Sequence, residues 1–75
     1  MYYVSIDDLP SSIKEKLSLE AQDIYIDAFN ASYERFANSL YSGERKNSKR
    51  LAHKIAWATM KYRCHILHIK PLAAI

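Results

Sequence analysis

The side chains best able to do chemistry crowd the second half of the chain. Arg45, Lys46, Lys49 and Arg50 cluster ahead of Lys54 and Lys61, and no acidic residue follows Glu44. Lysine and arginine displace the counterions condensed on phosphates. The set Arg45, Lys46, Lys49, Arg50, Lys54 and Lys61 therefore predicts salt-sensitive nucleic-acid binding, with DNA as the first candidate. Trp57 flanks the set and suits backbone contact or base stacking. No helix-turn-helix glycine spacing and no zinc-finger pattern is present, so the binding is expected to be largely sequence-independent. The first half carries the opposite sign: all eight acids fall in residues 1–44, against three basic residues, and the other eight basic residues follow. Glu20, Asp23, Asp27 and Glu34 recur at helical spacing and could meet a basic partner, including a second copy of the chain.

Cys64, His65 and His68 invite a zinc reading. A structural site needs four ligands, as a rule from separated segments, whereas these three lie within five consecutive residues. On a strand, His65 and His68 would also point to opposite faces, so no metal site is expected. Cys64 and His65 are adjacent, the wrong spacing for a nucleophile–base pair. The carboxylates Glu20, Asp23, Asp27 and Glu34 are expected to face water, which gives them no general acid role. A single glycine leaves no phosphate-cradling loop. The reading is of a binding protein without catalytic residues, cofactor or metal.

The elements that must position these residues belong to a chain of 75 residues, 8.7 kDa and net charge +3, read as one domain over 1–75. Such a chain buries only about 60–65% of its unfolded surface, so its core is thin. One cysteine permits no internal disulfide, and no run approaches the ~20 apolar residues of a membrane span. The first residues lack the pattern of a signal peptide, and the expected setting is intracellular, cytoplasm or nucleus, with no membrane insertion. Periodicity predicts three helices. The first runs from about Pro10 to Leu17. The second runs from Leu19 to Leu40, capped by Ser18, with Ala21, Tyr25, Ala28, Phe29, Ser32, Phe36 and Leu40 inward. The third runs from Lys46 to Cys64, capped by Asn47 or Ser48, with Leu51, Ile55, Ala58, Thr59 and Tyr62 inward. Tyr41-Ser42-Gly43-Glu44 reads as the turn between the last two. Arg50, Lys54 and Lys61 form a stripe on the third helix. Trp57, Tyr25 and Phe29 read as core. Residues 2–5 and 66–70 are β-prone and are expected to pair as a two-stranded antiparallel sheet joining the termini. The apolar end, Leu72-Ala73-Ala74-Ile75, is expected either to cover the core or to meet another chain.

Leu9-Pro10, Ala21-Gln22-Asp23-Ile24-Tyr25, Ala28-Phe29-Asn30 and Ala52-His53-Lys54-Ile55-Ala56-Trp57 occur in that order, with Lys61 beyond them. Together, over about 9–62, they closely resemble the ChaB family of cation transport regulators. The resemblance implies three helices with a small two-stranded sheet. For bacterial members it implies a regulatory role beside a cation/proton antiporter, and for viral members DNA binding. Two positions depart from the family. Leu17-Ser18 stands where a second Leu-Pro is usual, and a serine cap serves there equally well. The tail, 63–75, is apolar and histidine-rich where bacterial members end in charged residues, which points to a viral member and weakens transfer of the transporter role.

Overall fold

Two long helices lying antiparallel make the body of the protein, and the sizes of a few side chains decide how they meet. The computed structural model describes residues 2–72. After a 3-10 turn at Ile6–Asp8 come α1 (Ser11–Lys16), α2 (Leu19–Ala37), α3 (Ser42–Lys46) and α4 (Ser48–Leu67). Ser18 starts α2 as expected, its hydroxyl accepting from the Ala21 amide at 3.3 Å. Inward from α2 point Ala21, Tyr25, Ile26 and Phe29. Leu40, expected on that face, is 94% exposed, because α2 stops at Ala37 and the chain turns away.

The expected inner face of the last helix is wrong by about one position. The buried residues of α4 are Ser48, Ala52, Ala56, Met60 and Cys64, an unbroken i, i+4 series. Ala52, Ala56 and Met60 are 0% exposed, whereas Ile55 is 40% and Tyr62 66% exposed. Leu51 and Thr59 are half-buried and Ala58 lies open. Small side chains let two helix backbones approach, and close approach lets the rings of α2 fill the space alongside. Hydrophobicity alone favours the face with the larger residues; fit to Tyr25 and Phe29 selects the face with the smaller ones.

No strand is present among the described residues, so the expected sheet does not form. Residues 65–67 are taken up by α4, which continues to Leu67 and ends at His68 in a left-handed conformation (φ 58°, ψ 35°). The His68 amide donates to the His65 carbonyl and the Ile69 amide to the Cys64 carbonyl, the double closure that normally uses glycine. Residues 69–72 then return to the junction of α1 and α2. The Ser18 amide donates to the Pro71 carbonyl at 3.0 Å. The Ser18 hydroxyl donates to the Lys70 carbonyl at 2.8 Å. Leu17 and Leu72 form a single antiparallel bridge. The N-terminal segment has a different partner. Asn30 on α2 accepts from the Tyr2 and Tyr3 amides and donates to the Tyr3 carbonyl, so one side chain acts as its strand edge. Tyr2 and Tyr3 thereby lie against Phe29. Of the apolar end, 73–75 fall outside the described residues, and Leu72 is 62% exposed.

Gly43 does not break the chain as the expected turn requires; it lies within α3 and has no positive φ. The Asn47 amide donates to its carbonyl, so α3 runs almost directly into α4.

Because Ala56 is enclosed and Ile55 is not, Ala56→Leu is expected to cost about 1–3 kcal/mol through overpacking. Ile55→Ser should stay within about 0.5 kcal/mol of the parent. Thermal and urea unfolding of the two variants checks this, and the order reverses if the larger residues form the core.

Candidate binding surface on the last helix

Helix α4 is wrapped by three kinds of side chain. One stripe is spent against α2. About a third of a turn away stand Arg50, Lys54 and Lys61, all exposed. Next to them run Ile55, Tyr62 and Ile66, with half-buried Leu51 at the start of the row; Ile66 is 52% exposed. Leu51, Ile55, Tyr62 and Ile66 stand at i, i+4, i+11 and i+15, the spacing of a seam that receives another helix. No acidic residue interrupts the helix.

The six expected cations do not act as one set. Arg45 and Lys46 belong to α3, and the Arg45 guanidinium donates to the Ser39 carbonyl at 2.7 Å. Lys49 sits 5.1 Å from the centre of the Tyr2 ring. Tyr2 holds that ammonium above its usual pKa, first through a hydrogen bond and then through charge. Lys61 lies over the Trp57 ring, 5.9 Å from its centre. Arg50, Lys54 and Lys61 remain in line on the outer face. Trp57, expected in the core, is half-buried and packs against it from the edge.

Glu20, Asp23, Asp27 and Glu34 are all exposed on α2, with Glu20 near enough to α4 for its charge to reach Cys64. The acidic row lies on one helix and the basic row on the other.

Beneath this surface, the Tyr25 ring is buried while its hydroxyl reaches His53 Nδ1 at 2.7 Å. Burial raises the Tyr25 pKa and a lesser push comes from Tyr3, so the phenol stays neutral. Cys64 is 1% exposed. Burial, and secondly the Glu20 charge, raise its thiol above the ordinary value of 9.0. His65 lies on α4 and His68 at its left-handed end, and neither is on a strand. Among the described residues no three or more His, Cys, Asp or Glu side chains are gathered as a metal site would need.

The family profile of ChaB matches residues 9–63. The chain belongs to the ChaB family. It is 37% identical over 62 residues to the protein named "Putative cation transport regulator ChaB" of Escherichia coli K12, covering 83% of this chain and 82% of that one. The Shigella flexneri protein of the same name matches to the same extent. No solved structure matches. Against this ChaB chain, the sequence reading missed the row Ile55, Tyr62 and Ile66 as surface, having placed two of the three in the core. The signal that could have found it is the i, i+4 run of small residues at Ser48, Ala52 and Ala56. No helix among the described residues is long and apolar enough to cross a membrane.

Of the raised groups, the buried Tyr25 and Cys64 set a direction for pH. A thiol and a phenol whose folded pKa lies above the unfolded one stabilise the fold fully below the unfolded value. That contribution is lost as pH rises through the folded value. Stability should hold up to about pH 9, the ordinary thiol value, and fall above it. Native Cys64 should resist a thiol reagent at pH 8 and react fully in denaturant, as followed by absorbance.

Proposed function

We propose that this ChaB-family protein is a regulatory binding module. It acts without catalysis, by docking the outer face of α4 on a protein of cation transport, such as a water-facing segment of a cation/proton antiporter. One observation carries this reading: α4 exposes Ile55, Tyr62 and Ile66 in a row at helical spacing, bordered by Arg50, Lys54 and Lys61. A lone exposed apolar residue means little, but a row of them beside one sign of charge is the pattern of a contact surface. Tyrosine and arginine are the residue types that anchor such contacts. The partner's matching face is an amphipathic helix with acidic flanks, laid along the seam. The names of the bacterial relatives point to cation transport as the process.

A second reading, sequence-independent DNA binding, has Arg50, Lys54 and Lys61 in line in its favour. Two features tell against it. Arg45 and Lys49 are engaged within the protein. The cations border a row of apolar side chains, which phosphates would leave wet.

Calorimetric titration with peptides covering the water-facing segments of a cation/proton antiporter tests the reading. The parent should bind an acidic, amphipathic segment. Ile55→Ser with Tyr62→Ser should weaken that binding about tenfold or more, at least about 1.4 kcal/mol, with melting nearly unchanged. No binding to any segment, or equal binding by the variant, overturns it. Duplex DNA is the comparison. A log–log salt slope of about −3 to −5, abolished by Arg50→Glu with Lys54→Glu, would establish the DNA reading in its place.

A further inference from the structure

Where α4 ends, the chain turns at His68 and runs back along the helix as 69–72, tied down at Ser18. Between this return segment and α4 opens a cleft of about 640 Å³. That is within the roughly 300–1,000 Å³ of small-molecule sites. Its accessible apolar surface comes from Trp57, Ile69, Pro71 and Leu72, with the buried Met60 and Cys64 beneath. Lys61 and His65 stand on the α4 side, and His68 and Lys70 at the turn and on the returning strand of chain. Among the described residues no carboxylate side chain lines the cleft. It lies beside Trp57 and shares Lys61 with the cation row, but Ile55, Tyr62 and Ile66 are outside its lining, so it does not depend on the docking row.

We propose that this cleft is a binding site for a single-chain anionic amphiphile, a medium-chain carboxylate. The alkyl chain lies on Ile69, Pro71 and Leu72 against Trp57, over the buried Met60 and Cys64, and the carboxylate meets Lys61 and Lys70. The lining selects both halves of the ligand. A small polar anion would leave the apolar floor wet, and burying an alkyl chain there removes apolar surface of both partners from water. A cationic head would meet lysine on both walls. The two lysines come from opposite walls, so an anion between them also draws the return segment and α4 together.

Trp57 is the sole tryptophan and reports on the cleft directly. The probe is sodium decanoate, kept below its micelle threshold and followed by Trp57 fluorescence and by amide chemical shifts. Acetate (head alone) and decyltrimethylammonium (tail with the opposite head) are the comparisons. Decanoate should saturate one site, with shifts confined to 57–72 and an unchanged helical circular-dichroism signal. Acetate should not bind, and the ammonium should bind at least about tenfold more weakly. Lys61→Glu with Lys70→Glu should weaken decanoate about tenfold or more, and the milder Lys61→Gln with Lys70→Gln should fall between. Both lysines are exposed, so the variants keep the fold. Equal binding of both amphiphiles overturns the proposal. So do non-saturating binding with loss of helix, shifts centred on Ile55 and Tyr62, or charge-reversed protein that binds as well as the parent. Failure here leaves the docking reading of Ile55 and Tyr62 standing, since none of its predictions uses decanoate.

Discussion

The contact between α2 and α4 is the constraint from which the rest of the structure follows. Ala52 and Ala56 present almost nothing to α2, so the helices close and Tyr25 and Phe29 fill the space beside them. A helix has only one circumference. Once the small residues turn inward, Ile55, Tyr62 and Ile66 must turn outward, and Arg50, Lys54 and Lys61 with them. The surface that carries the functional reading is thus a by-product of how the core is packed.

Much of this was legible from the residues. Ser18 as a cap, the long second helix and the burial of Tyr25 and Phe29 rest on local signals: a hydroxyl before a periodic run, and aromatic residues one turn apart. The family motifs were equally plain. The phase of α4 was not, because apolar periodicity cannot distinguish a stripe of large residues from the neighbouring stripe of small ones. That choice depends on the shape of α2, a tertiary fact. The sheet failed for a related reason. The β-prone character of residues 66–70 is a weak preference, and a helix already long and buried on one side continued into it as far as a histidine could close it. Asn30 then supplied from a side chain the hydrogen bonds that a partner strand would have made.

The cations show how composition overstates a site. Eight basic residues in the second half suggest one electropositive surface. The fold distributes them: Arg45 holds the loop after α2, Lys49 covers Tyr2, and Lys61 covers Trp57. Three aligned cations beside an apolar row suit a protein partner with acidic flanks better than a phosphate lattice.

The orientation of α4 can be read in solution with a soluble paramagnetic agent, measuring relaxation of side-chain and amide protons along the helix. The account predicts strong relaxation at Ile55, Tyr62 and Ile66, and protection at Ala52, Ala56, Met60 and Cys64 repeating every fourth residue. Protection at Leu51, Ile55 and Tyr62, with Ala52 and Ala56 open to the agent, would contradict it.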